Sequence, residues 1–154
     1  MIINSLQEFY QFFQKGKPVL SIDYGLKKVG IALSTPDHSL PAPYIVIEEE
    51  SDKKKITSIL NIIGEKNICA IVLGLPINMD GTKSDQTIIV ENFAVKMTKR
   101  INLPIFMQDE RLTSRAADSL LKDFGISRKN RNAMDDLAAA SMILETTLDS
   151  IVRF

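Results

Sequence analysis

Pro18-Val19-Leu20-Ser21-Ile22-Asp23-Tyr24-Gly25-Leu26-Lys27-Lys28-Val29-Gly30-Ile31-Ala32-Leu33-Ser34 is the stretch on which the fold turns. Two β-rich runs, Pro18 to Asp23 and Val29 to Ser34, are joined by Gly25-Leu26-Lys27-Lys28, a connection short enough to fold the second run back on the first. The spacing predicts a hairpin. Its first arm ends on a carboxylate, and Gly25 permits a close backbone approach or a positive φ just beyond it.

Working outward, Leu6, Phe9, Tyr10 and Phe13 recur at helical spacing over residues 4–14, with Asn4 or Ser5 as N-cap and Gly16 and Pro18 as the stop. On the other side, residues 35–43 contain Pro36, Pro41 and Pro43 and read as a loop, followed by a third strand from Tyr44 to Ile47. Ser51 caps a helix through Lys66 whose buried face is Ile56, Ile59, Leu60 and Ile63. Ile68 to Leu75 is apolar throughout, as suits a parallel strand covered on both faces. After a loop from Gly74 to Lys83 come a helix from Ser84 to Arg100 and a fifth strand from Leu103 to Gln108. Thr113 caps a helix to Phe124 that Gly125 ends, Ser127 to Arg131 is a basic loop, and Ala133 to Ile151 is the last helix.

Strands joined by short connections form an antiparallel meander, and the later β-α-β-α run adds parallel strands by right-handed crossovers. The expected architecture is a mixed α/β fold: a five-stranded sheet in the order 3-2-1-4-5 with helices on both faces. In such sheets ligands collect at the carboxyl ends of strands near the point where the winding reverses. Asp23 closes the first strand there, and Asp109-Glu110 closes the fifth. Residues 1–16 read as an amphipathic helical extension preceding a single domain, 17–154.

Composition removes several function classes. Lys+Arg and Asp+Glu are equal at 19 each, so a grip on nucleic acid must come from a local basic patch and not from net charge. Cys69 is the only cysteine, which excludes an intrachain disulfide and a cysteine zinc site. His38 is the only histidine and sits in a Pro-rich loop, which argues against a His-based triad or a two-His metal site. No apolar run approaches the roughly 20 residues of a membrane span, and no secretory leader is apparent, so no membrane partner is expected and cytoplasm is the expected location.

Carboxylates carry what chemistry the chain offers. Asp23, Asp109-Glu110 and Asp135-Asp136 are far apart in sequence but lie where the fold can join them. Converging carboxylates repel unless a positive charge sits between them, and an oxygen-only cluster suits Mg²⁺ or Mn²⁺. Each cluster alone also has an ordinary reading, since a strand-end Asp forms turns and acidic residues favour helix N-termini. Asp135 and Asp136 point about 100° apart, and helical phase alone does not choose between them. Arg111 is placed either to reach a phosphate or to pair with a neighbouring carboxylate. Arg115, Arg128, Lys129 and Arg131 form a candidate clamp on a phosphate backbone, or a solvated face. The loop Gly74 to Gly81 offers backbone N–H groups and Asn78 to a substrate, but lacks the Lys-Ser/Thr ending of a P-loop.

Several segments together resemble the YqgF/RuvX family, proposed pre-16S rRNA nucleases related to RuvC-type Holliday-junction resolvases. They are Ile22-Asp23-Tyr24-Gly25 with Lys28-Val29-Gly30-Ile31-Ala32, Val72 to Gly81, Asp109-Glu110-Arg111-Leu112-Thr113, and Ser127-Arg128-Lys129 followed by Asp136 and Ala139 to Leu144. The resemblance implies an RNase H-like fold and a metal-dependent nuclease whose site residues correspond to Asp23, one of Asp109-Glu110, and Asp136 when Ile143-Leu144 is aligned. Residues 1–16 and the extra Asp135 depart from the family pattern.

The expectation drawn from residues and resemblance is phosphodiester hydrolysis by two divalent ions roughly 4 Å apart, which activate a water and stabilise the leaving oxygen. Asp23 bridges the ions, Glu110 and Asp136 each hold one side, and Asp109 is a ligand or a partner for Arg111. Lys28, Asn78, Arg111, Arg115, Arg128, Lys129 and Arg131 are the expected contacts to nucleic acid. The expected substrate is pre-16S rRNA at its 5′ end, in a precursor ribosomal particle, with branched DNA as the alternative and a monomer or homodimer as the acting form. Two other classes compete. An actin-like ATPase shares the strand arrangement but needs two such domains, and a non-catalytic binding factor would bind RNA without metal or cleavage.

Overall fold

The structure, a computed structural model, describes residues 1–111 and 128–152, with side chains in the last segment from residue 137 onward. In chain order the described elements are β1 (Ile2–Ile3), α1 (Leu6–Tyr10), β2 (Val19–Asp23), β3 (Lys28–Ser34), β4 (Pro41–Glu48), α2 (Asp52–Lys66), β5 (Ala70–Leu75), α3 (Asp85–Thr98), β6 (Ile105–Asp109) and α4 (Arg128–Val152). The helix expected from Thr113 to Phe124 lies outside the described residues.

The sheet has six strands in the order β1-β6-β5-β2-β3-β4. The 3-2-1-4-5 order expected for five strands is present as β4-β3-β2-β5-β6, and β1 is an addition at the β6 edge. Ile2 and Ile3 pair parallel with Ile105 and Phe106. Two residues carry too little pattern to read as a strand, and their pairing comes from the ready-made edge of β6. The N-terminal helix is shorter than its apolar spacing suggested, five residues capped by Ser5. Its Phe9 is fully buried and stacks on Phe106.

β4 begins at Pro41, inside the stretch expected to be loop. Proline cannot donate to a ladder, but β4 is an edge strand, where Pro41 and Pro43 are tolerated beside a register shift at Ile31/Ala32. α2 obeys its sequence signals: Ser51 accepts from the Lys54 N–H, and Asn67 ends the helix in the left-handed conformation at φ 59°. The basic run Arg128-Lys129-Asn130-Arg131 corrects another expectation, because these residues begin α4 and are not a loop. Arg and Lys are good helix formers, and no Gly or Pro separates them from the Ala-rich segment that follows.

Two cores sandwich the sheet. Leu20, Ile22, Tyr24, Ile31, Ile71 and Leu73 face α2 and α3. Val19, Ala32, Ala70 and Val72 face α4 and α1. Alternation along each strand therefore fixes which face every strand-end residue presents. Two polar contacts cross the α4 interface: the buried Ser21 hydroxyl donates to the Ala140 carbonyl at 2.7 Å, and Thr147 Oγ1 donates to Gln108 Oε1 at 2.9 Å. No described helix is long and apolar enough to cross a membrane.

Candidate active site

β2, β5 and β6 are neighbouring parallel strands, and their carboxyl ends lie side by side. Ile22 pairs with Leu73, Leu73 with Met107, and Leu75 with Asp109. The Glu110 N–H continues the ladder, donating to the Leu75 carbonyl at 3.2 Å. Next in register after Ile22 and Leu73 stand Asp23 and Gly74. Strands lie about 4.8 Å apart, so Asp23 and the end of β6 are roughly 10 Å apart at the backbone.

Alternation decides what crosses that gap. Val19 and Ser21 face α4, so Asp23 presents its side chain to the same layer. On β6, Phe106 and Gln108 face α4, and Glu110 follows them. Gly74 occupies the middle strand. A Cβ there would collide with Oε2 of Glu110 and with Cδ1 of Ile143. The Glu110 carboxylate thus lies over Gly74, in space that only glycine leaves open, about one strand from Asp23. The sequence presented Gly74 as part of a phosphate-approaching loop; its structural use is to admit a carboxylate.

Glu110 is an unusual acid. Burial first, and then the negative charge of Asp109, push its carboxyl up to about 7 from an ordinary 4.5. No described residue gives that carboxylate a hydrogen bond or an ion pair. Asp109 is different. It points to the other face and pairs with Arg111, whose Nη2 lies 2.7 Å from Oδ2 and whose Nε donates at 2.9 Å. Burial would raise the Asp109 carboxyl, but the Arg111 hydrogen bonds and charge hold it below the usual range. Of the two roles open to Asp109 and to Arg111, mutual pairing is the one the structure displays. Arg111 Nη1 also reaches the Met79 carbonyl at 3.5 Å, which links the end of β6 to the 76–83 loop.

That loop is built on its own bonds. Asn78 Nδ2 donates to Thr82 Oγ1 at 3.0 Å, the Gly81 N–H donates to the Asn78 carbonyl at 2.8 Å, and Gly81 holds φ +88°. Asn78 is here a turn residue. Lys28, exposed at the start of β3, lines a groove with Glu48, Glu49, Glu50 and Lys54 beside the hairpin turn. Arg128, Lys129 and Arg131 lie in the first turns of α4, and Arg115 lies outside the described residues. Among the described residues no group of three or more His, Cys, Asp and Glu side chains is arranged to hold a metal ion. Asp23 and Glu110 make two, and the side chains of Asp135 and Asp136 are outside the description.

One network behind the site was not expected. Lys55 is completely buried, with Nζ donating to the Leu26 carbonyl at 2.6 Å and lying 4.6 Å from the Tyr24 ring centre. Tyr24 OH donates to Asp52 Oδ1 at 2.7 Å, and Lys96 pairs with Asp52 Oδ2 at 2.8 Å. Burial pushes the Tyr24 hydroxyl far up, assisted by Asp52. The network fixes the turn that immediately follows Asp23. Its sequence signal was the phase of Lys55, which shares one helical row with Ile59 and Ile62.

Comparisons with known proteins bear on the family and the fold. The family model described as "RuvX: Holliday junction resolvase" matches residues 17–150. A protein of Rickettsia peacockii (strain Rustic) named "Putative pre-16S rRNA nuclease" is 54% identical over 151 residues, 98% of each chain. A protein of the same name from Rickettsia felis (strain ATCC VR-1525 / URRWXCal2) is 52% identical over 153 residues, 99% of each. Among solved structures, Fowlpox virus resolvase in complex with Holliday junction DNA matches with TM-score 0.53 at 14% identity, over 88% of this chain and 99% of that one. T. thermophilus RuvC in complex with a Holliday junction substrate matches with TM-score 0.53 at 11% identity, over 88% and 96%. At such identities the structural likeness establishes the fold alone, and that fold is RuvC-like and RNase H-like.

Proposed function

The chain belongs to the RuvX family, and from that premise we propose that it is a divalent-metal-dependent nuclease acting on pre-16S rRNA. The proposed reaction is phosphodiester hydrolysis near the 5′ end of that precursor, within a precursor ribosomal particle. The observation that carries the reading is the Glu110 carboxylate lying over Gly74 toward Asp23. A half-buried carboxylate about one strand from another, with no described donor, fits a hard cation such as Mg²⁺ or Mn²⁺. Asp23, Glu110 and Asp136 are the residues proposed to hold it. Asp136 is preferred to Asp135 because it is the helix carboxylate that falls in the family pattern when Ile143-Leu144 is aligned. Bound cations would supply an activated water and stabilisation of the leaving oxygen.

The protein's own groups do the rest. Glu110 holds a proton up to near-neutral pH and gives it up to admit positive charge, so cation affinity rises as pH climbs through about 7. Arg111, braced by Asp109, has N–H groups left for a substrate phosphate. Arg115, Arg128, Lys129, Arg131 and Lys28 are proposed to hold the phosphate backbone.

The test is cleavage of a precursor 16S rRNA fragment with Mg²⁺ or Mn²⁺, using wild type and Asp23→Asn. The variant should lose cleavage while keeping its fold by circular dichroism. Undiminished cleavage by Asp23→Asn removes the mechanism, and RNA binding without cleavage by wild type makes the chain a binding factor. A four-way DNA junction belongs in the same assay, because the description of the matching family names that substrate.

A further inference from the structure

We propose that a cationic groove between α2 and α3, on the sheet face opposite α4, is a second docking surface for single-stranded RNA. The groove has a volume of about 520 Å³ and is lined by Asp52, Lys53, Ile56, Lys96, Lys99 and Arg100. Four cations face one carboxylate, in a chain whose formal net charge is zero. The excess is local: the groove beside the hairpin turn sets Lys27, Lys28 and Lys54 against Glu48, Glu49 and Glu50.

The α2–α3 groove is also partly preorganised. Arg100 is braced by its own donors, Nη1 to the Lys53 carbonyl at 2.9 Å and Nη2 to Thr57 Oγ1 at 2.9 Å. Asp52, the one carboxylate, is already committed to Tyr24 and Lys96, and no described carboxylate pairs with Lys53, Lys99 or Arg100. Lys96 lies in the last turn of α3, and Lys99, its C-cap, and Arg100 follow in the turn that ends the helix, with the Arg100 N–H donating to the Met97 carbonyl at 3.0 Å. The lysine stems, with the edge of the buried Ile56 beneath them, provide apolar surface for a ribose or base, while the rim meets phosphates. Asp52 ties the groove to Tyr24, the residue after Asp23, so a strand held there is anchored to the element that carries the candidate site. The choice of RNA over another polyanion rests on the nuclease reading above; the charge complementarity does not.

The experiment is fluorescence anisotropy of a labelled single-stranded RNA 20-mer on the full chain, in EDTA, across a monovalent-salt series. EDTA keeps the result independent of cleavage, so loss of the nuclease reading would not disturb it. Lys53→Gln/Lys99→Gln alters two exposed side chains and should leave the thermal melt unchanged. Losing two phosphate contacts lowers the slope of log K against log salt by about 1.4 and weakens binding about 25-fold at 0.1 M salt. The control Lys15→Gln/Lys66→Gln makes the same change in net charge elsewhere and should stay within about twofold. RNA affinity unchanged in the groove variant overturns the proposal. So does an equal loss in the control, which would assign the effect to net charge. Loss of binding to anionic phosphatidylserine vesicles with RNA binding intact overturns it too, in favour of a membrane surface.

Discussion

Glu110 should make the metal-free protein less stable as pH rises from about 5 to about 8, and Glu110→Gln should remove that trend. In the unfolded chain this carboxyl gives up its proton near 4.5; in the folded chain burial and Asp109 hold the proton up to about 7. Between those values the folded state binds more protons, so its stability falls with pH. The contribution is fully present below 4.5 and lost as pH passes through 7. The shift corresponds to roughly 3 kcal/mol at full effect, and partial solvent access brings the expected change to about 2–3 kcal/mol. The assay is urea denaturation of wild type and Glu110→Gln in EDTA at several pH values. Other carboxylates titrate in both proteins and cancel in the difference. The variant should be closest to wild type at pH 5 and more stable than wild type at pH 8. Mn²⁺ added at pH 8 should stabilise wild type more than the variant, because the variant lacks one of the three carboxylates proposed to hold the ion. Parallel pH curves would refute the reasoning, since they would mean that Glu110 ionises as freely in the fold as outside it.

Gly74→Ala places a methyl group against both Glu110 and Ile143, so it should cost about 1–3 kcal/mol in a thermal or urea melt and sharply reduce cleavage. Lys55→Met leaves the Leu26 carbonyl without its donor and Asp52 with one cation fewer, and it should cost about 2–4 kcal/mol by chemical denaturation. Ser21→Ala removes the hydroxyl that holds the Ala140 carbonyl and should cost about 1 kcal/mol, read in the same denaturation series.

The strand order was legible because its determinants are local. The Gly25 turn forces a hairpin, and the apolar run into β5 needs cover on both faces, which places it beside β2. Ser51 announced the start of α2 to the residue, because an N-cap is a one-residue event. What escaped depended on partners remote in sequence. β1 exists because β6 offers an edge, and Pro41 and Pro43 join a strand because β3 supplies the ladder and no strand lies outside them. Composition carries no trace of either circumstance.

The same division runs through the site. Asp23 and Glu110 were found as strand-end acids, and period-two alternation along β2 and β6 then sends both to the α4 face. Alternation also separates Glu110 from Asp109, which neighbours it in sequence yet faces the opposite layer and pairs with Arg111. A cluster of adjacent acids at a strand end therefore splits its labour: one member lies over Gly74 with no donor among the described residues, and the other holds an arginine at the rim. What no periodicity reveals is the void over Gly74. A missing side chain becomes functional only when a neighbour from the adjacent strand reaches into the space, and here that neighbour is the carboxylate on which the proposed chemistry rests.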